Sequence, residues 1–159
     1  MSLSLSYLNY LWTSNNEHGV HSPFVYQLLT KGLYRDTKNP KAELLLAWLK
    51  KHDIKNRRKV KIINRALNYF NDASFTDAHT GNYTSDQTFY VNIVERSDLE
   101  IEQILINYPF IIVDHIDKQP EKWQKICQNP KPTLTIDFYS IGFLFYKPGQ
   151  HKENFKIRI

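Results

Sequence analysis

Residues 109–117 read PFIIVDHID, and this stretch decides the fold class. Phe110–Val113 is a continuous apolar run, β-branched at Ile111, Ile112 and Val113. Such a run, closed by a proline on one side and an acid on the other, is expected of a strand covered on both faces in a parallel sheet. A strand with one wet face would alternate instead. Upstream, Ser97 with Glu100 three residues on makes a capping-box pattern that opens the helix DLEIEQILINY, which must end before Pro109. Before that helix, Thr88–Val94 (TFYVNIV) is β-branched and aromatic and reads as a strand. Downstream, EKWQKICQN reads as a helix stopped by Pro130, and TLTIDFYSIGFLFYK as two strands joined or kinked near Ser140–Gly142. The tail NFKIRI alternates and is read as an edge strand. Strand, helix, strand, helix and a terminal pair of strands is the order of an open α/β sheet.

The N-terminal part has a different period. Leu5, Leu8 and Leu11, with Tyr7 and Trp12, recur at helical spacing, and Asn15 and Asn16 interrupt them. Ser22-Pro23 is a helix start, with serine as cap and proline in the first turn. Phe24 and Leu28, joined by Val25 and Leu29, form the stripe of the helix that follows. Residues 35–40 (RDTKNP) read as a loop. KAELLLAWLKKHDI predicts another helix with Leu45, Trp48 and Leu49 on one face, and VKIINRALNYFND a further one with Ile62, Ile63, Ala66, Leu67 and Phe70 inward. The expected organisation is an N-terminal helical segment over 1–70 and a shortened α/β portion over 71–159, packed together as one domain.

Composition bounds the function classes. With 159 residues, 42% hydrophobic and 23% charged, the chain is expected to be one globular domain and not a disordered one. Lys and Arg total 21 against 16 acids, a formal charge of +5. That allows a polyanion partner without requiring one. Much of the excess sits in Lys50–Lys61 (KKHDIKNRRKVK). A solvated helix end or linker is the preferred reading, and a nucleic-acid-binding module the alternative, because no stacking aromatics are interleaved with the run. The single cysteine, Cys127, excludes an intramolecular disulfide and fits a cytoplasmic protein. Its apolar, helically spaced neighbours suggest a buried, inert thiol. No apolar run approaches the roughly 20 residues a membrane-spanning helix needs, so no membrane partner is expected.

Three stretches carry a family resemblance: NEHGVHSPFVYQLL (16–29), FIIVDHID (110–117) and TLTIDFYSIGFLFYKPGQHKENFKIRI (133–159). Together they resemble class I, S-adenosylmethionine-dependent methyltransferase-like proteins of Bacteroidetes. The resemblance covers about the first 35 and the last 50 residues. It implies a truncated Rossmann-like, methyltransferase-type sheet with an N-terminal helical segment, closing in a strand that ends in acids, a helix and a C-terminal antiparallel hairpin. It also implies S-adenosylmethionine as cofactor, held by an acid and a glycine-rich turn whose backbone approaches the ligand at a helix N-terminus. The corresponding place here reads DASFTDAHTGNYTSDQ (72–87), with one glycine and no G-x-G. On this resemblance Asp77 takes the acidic position, Gly81 is what remains of the glycines, and Glu95 stands for the acid ending the family's fourth strand. These three are the cofactor-binding candidates.

Asp114 and His115 are the catalytic candidates, because side chains at the carboxyl end of a parallel strand face the usual ligand crevice. With Asp117 they could bind a divalent ion or act as an acid–base pair. The preferred reading is structural: an acid at a strand end that accepts hydrogen bonds from loop amides. Asp77 and His79 are likewise read as turn residues first. His18 and His21 in NEHGVHSPF lack further ligands at a metal spacing, so a turn at Gly19 followed by the Ser-Pro helix start is preferred. Asp137, a polar residue in an apolar hairpin strand, is expected either to face the edge or to pair with backbone, and is not read as catalytic. The expectation for function is therefore a degenerate methyltransferase-like protein, without cofactor or metal, serving as a binding or interaction module for a protein partner or a second copy of itself. An active methyltransferase with an abbreviated cofactor site, using Asp77, Glu95 and Asp114, is the alternative.

Overall fold

The computed structural model describes residues 4–36, 47, 49–51, 53–70, 75–77 and 88–159. The expectations for 37–46, Trp48, His79 and Gly81 lie outside the described residues. The chain divides into two compact units, one of residues 1–15 and 76–158, the other of residues 16–75 with Ile159.

The first unit is a mixed α/β sheet with helices. Its strands are β1 (Phe75–Asp77), β2 (Thr88–Asn92), β3 (Phe110–Asp114), β4 (Leu134–Asp137), β5 (Ile141–Phe145) and β6 (Glu153–Lys156), in the spatial order β1-β2-β3-β5-β4-β6. β2 and β3 pair in parallel, β5 is antiparallel to both β3 and β4, and β6 is parallel to β4. Hence β2, β3, β4 and β6 point one way and β5 runs opposite to them. Parallel neighbours need a crossover. Helix α4 (Asp98–Asn107) makes it between β2 and β3, and α5 (Pro120–Gln128) carries the chain from β3 to β4. The capping box is formed as expected: Ser97 accepts from the Glu100 amide, and the Glu100 carboxylate accepts from the Ser97 amide.

Every residue of β3 is buried, as the unbroken FIIV run requires. Phe89, Val91, Ile111, Val113 and Leu144 pack with Ile101 and Leu105 of α4 and with Trp123 and Ile126 of α5. On the other face Tyr90, Ile112, Ile136 and Phe143 are buried too. Gly142 lies inside β5, and the turn of the hairpin is at 138–140. A Cβ at Gly142 would stand 2.3 Å from Cη2 of Trp123. Glycine is there because the indole lies directly on the strand.

Helix α1 (Leu5–Thr13) belongs to this unit. Its leucine stripe does not face the sheet. Leu5 is 86% and Trp12 91% exposed, with Leu8 also outward, whereas Tyr10 is buried. Tyr10 decides the facing: its hydroxyl donates to the Ile157 carbonyl and its ring meets those of Tyr7 and Tyr139. Asn15 then bridges to Ile157 beside β6.

The second unit is helical where described. Glu17–Gly19 form one 3-10 turn, with the Asn16 side chain accepting from the His18 amide. Ser22 stands at the N-cap of α2 (Pro23–Gln27), though its hydroxyl makes no capping hydrogen bond, and α2 passes into a π-helical stretch over Leu28–Leu33. Residues 47 and 49–51 are helical. Helix α3 (Arg57–Phe70) begins three residues before the apolar pattern does, because Asn56 Oδ1 accepts from the amides of Arg58 and Lys59. Val25, Leu28, Leu29 and Leu33 are buried, as are Ile62, Ile63, Ala66 and Leu67. Gly32 lies against Tyr69, where a Cβ would come within 2.9 Å of the ring. Arg65 is buried, and its guanidinium donates to the Leu33 carbonyl at 2.7 Å and to Asp36 at 2.7 Å.

Candidate functional site

Three of the strands that point the same way end in Asn or Asp, and each of these side chains closes its strand in the same manner. Asn92 Oδ1 accepts from the Val94 amide at 3.1 Å, Asp114 Oδ1 from the His115 amide at 2.7 Å, and Asp137 Oδ1 from the Tyr139 amide at 2.7 Å. Short acceptor side chains stabilise a turn by replacing a backbone carbonyl in this way. Two of these turns hold a non-glycine residue in the left-handed region, His115 at φ 61° and Tyr139 at φ 76°. Such a conformation is unfavourable for a residue with a Cβ and is retained only where surrounding bonds enforce it.

Asp114 is 0% exposed. Its second oxygen, Oδ2, accepts from the Tyr90 hydroxyl at 2.7 Å. Burial, and then the nearby Asp114 charge, push the Tyr90 phenol far above its ordinary pKa. The two residues meet because strand alternation sets Tyr90 and Asn92 on one face, and Asn92 is the register partner of Asp114. Tyr90 is thus a member of the site that the apolar-run reading of TFYVNIV passed over. The face-sharing of Tyr90 and Asn92 is legible in the sequence, but only the register brings Asp114 beside them.

His115 follows directly, with its side chain 39% exposed. Its Nδ1 stands 3.4 Å from Asp114 Oδ2, an ion-pair distance, yet it lacks an aligned hydrogen-bond partner. Asp117 Oδ1 is likewise buried without one, and its other oxygen lies 3.5 Å from Lys118. Asp114 and His115 are therefore brought together as the sequence suggests, and the Asp114 carboxylate makes the loop-amide bond of the structural reading.

Of the cofactor candidates, Glu95 is the one whose side chain is described. Glu95 is exposed in the turn after β2, and its carboxylate accepts from the Asn92 amide group at 2.7 Å. Asp77 ends β1, which neighbours β2 in the sheet, and Gly81 lies outside the described residues. A carboxylate that binds ribose hydroxyls must present an oxygen to the ligand. Asp114 is wholly enclosed, with both oxygens engaged, so it does not fit that task. Among the described residues, no group of three or more His, Cys, Asp and Glu is placed to hold a metal ion.

The remaining sequence candidates resolve individually. His18 and His21 are exposed, and His18 makes one loose contact with Glu17 at 3.6 Å. Of the two alternatives for Asp137 the structure has the backbone pairing, and the carboxylate also accepts from the Trp123 indole at 3.2 Å. Burial raises the Cys127 thiol, the setting of an inert cysteine. Within Lys50–Lys61, Lys59 is buried and Lys55 pairs with Asp53 at 2.6 Å. Among the described residues no helix is long and apolar enough to cross a membrane. Comparison of the chain with protein-family models, with curated proteins and with solved structures returns no match.

Proposed function

We propose that this chain is a shortened Rossmann-like, methyltransferase-type domain that works as a cytoplasmic binding module and not as a methyl-transfer catalyst. One observation carries the reading: the Asp114 carboxylate at the end of the central strand is enclosed and committed to Tyr90 and the His115 amide. The missing G-x-G in 72–87 points the same way. The closing order of strand ending in an acid, helix and antiparallel hairpin agrees with the methyltransferase-type resemblance. A binding role also has a surface available to it. The outward Leu5, Leu8 and Trp12 of α1 form an apolar stripe without a charged residue in the helix, which a partner protein or a second copy of this chain would cover.

Calorimetric titration with S-adenosylmethionine and S-adenosylhomocysteine tests the proposal. The expected result is no binding tighter than about 1 mM, which corresponds to roughly 4 kcal/mol. Micromolar binding of either compound overturns it.

A second reading rests on His115, a strained, half-exposed imidazole with a buried carboxylate beside its Nδ1. A proton kept on Nδ1 leaves Nε2 as a base, the arrangement of an oriented acid–base pair. Under this reading the chain methylates a substrate, and His115→Ala abolishes turnover while leaving cofactor binding intact. The nucleic-acid reading of Lys50–Lys61 is the least supported, since Lys59 is buried inside its own unit.

A further inference from the structure

A second site lies on the helix-covered face of the sheet, beyond the edge of α5. Helix α5 packs over β3 and β5 there, and a groove of about 650 Å³ opens beside it along β4 and β6, lined also by Thr13 and Asn15. Pocket volumes of about 300–1,000 Å³ are typical of small-molecule sites. Its floor is polar. Thr135 and Asp137 come from β4, and their register partners Asn154 and Lys156 from β6. Its wall is the side of α5, where Cys127 is half-buried and Trp123 is buried against the sheet.

The floor groups are preset. Asp137 is held by the Trp123 indole at 3.2 Å and the Tyr139 amide at 2.7 Å, which fixes its carboxylate at the groove. Thr135 is 1% exposed and donates to Asn154 Oδ1 at 2.7 Å, which leaves the Asn154 amide hydrogens as donors. Lys156 makes no ion pair among the described residues. A cation and a carboxylate thus sit side by side across two strands, and an amide donor lies two residues away, about 7 Å along the strand. Few ligands use all three at once. An anionic group adjacent to a hydroxyl satisfies Lys156 and Asp137 together, and a distal hydroxyl reaches Asn154. The C–H edge of such a ligand lies against the wall of α5.

We propose that this groove binds a small polyhydroxylated anion, with sugar acids and sugar phosphates as the two sources of that chemistry. The site is independent of Asp114 and His115 and of the function proposed above.

The test follows the Trp123 indole N–H by nuclear magnetic resonance during titrations of the ¹⁵N-labelled chain. The probes are glucuronate, ribose 5-phosphate, glucose, acetate and inorganic phosphate. Saturable shifts with glucuronate or ribose 5-phosphate, at least tenfold tighter than with glucose, acetate or phosphate, support the proposal, and the tighter of the two names the source. Lys156→Ala and Asn154→Ala change exposed side chains, and each weakens that binding at least tenfold in a folded protein. The proposal is overturned if glucose or a simple anion binds equally well, if both variants bind like the parent chain, or if no probe shifts Trp123.

Discussion

The Tyr90 hydroxyl donates to Asp114 Oδ2 at 2.7 Å in a place from which solvent is excluded. Tyr90→Phe removes the donor and leaves a buried carboxylate with one partner fewer. The expected cost is about 1–3 kcal/mol, the usual range when a buried polar group loses a bond, measured by urea unfolding.

The same pair sets an alkaline limit. Tyr90 has a raised pKa in the fold, so the folded chain keeps this proton where an unfolded one loses it. Its contribution is full below the ordinary tyrosine value of 10.0 and is lost as pH rises above it. Stability should fall by about 1.4 kcal/mol per pH unit from this group alone above pH ~10. Tyr90→Phe should flatten that slope, and unfolding curves between pH 9 and 11 check it. An unchanged slope would sink the assignment.

Trp123 and Gly142 make a steric prediction. Gly142→Ala puts a methyl group 2.3 Å from the indole, which must lift from the strand. Overpacking of this kind costs about 1–3 kcal/mol. The displaced indole should also lose its bond to Asp137, visible as a shift of the Trp123 N–H resonance.

At the start of α4, hydrogen bonds from the Ser97 amide and hydroxyl hold the Glu100 carboxyl below its ordinary pKa, with a smaller contribution from Arg96. A lowered pKa in the fold means support that is present above the ordinary carboxylate range and lost as pH falls through the folded value. Ser97→Ala removes the hydroxyl bond and should raise the Glu100 pKa in a carboxyl titration only part of the way to its ordinary value, because the backbone amide at 97 and Arg96 remain. It should also destabilise α4 by about 1 kcal/mol, as loss of a serine cap does.

In the helical unit, Arg65 joins the end of the π-helical stretch to α3 through the Leu33 carbonyl. Arg65→Leu leaves that carbonyl without its guanidinium partner and should cost about 1–3 kcal/mol. Asp36, now held low by its hydrogen bond to Arg65 and by the charge behind it, should titrate at the ordinary aspartate value in the variant.

Much of the architecture was legible in the chain. PFIIVD announces a strand buried on both faces, the Ser97–Glu100 spacing announces a capped helix, and Ser22-Pro23 announces the start of α2. These are local signals, set by backbone sterics and by side chains reaching two to four residues away. The facing of α1 was not legible in this way. Helical spacing of Leu5, Leu8 and Leu11 with Tyr7 and Trp12 does not say which side turns inward; Tyr10 faces in because a carbonyl at Ile157, far along the chain, accepts its hydroxyl. The position of Gly142 inside β5 was missed for a similar reason: a glycine two residues after a serine reads as part of a turn or kink until Trp123 is seen lying on it.

The sequence by itself determined the element types, the strand-ending acids and the lack of a glycine-rich turn, because each depends on neighbours in the chain. Only the tertiary structure decided that Asp114 meets Tyr90, and that Asp137, Asn154 and Lys156 share a groove. Those pairings depend on strand register and on where α5 stops covering the sheet, and contacts between residues remote in the chain set both.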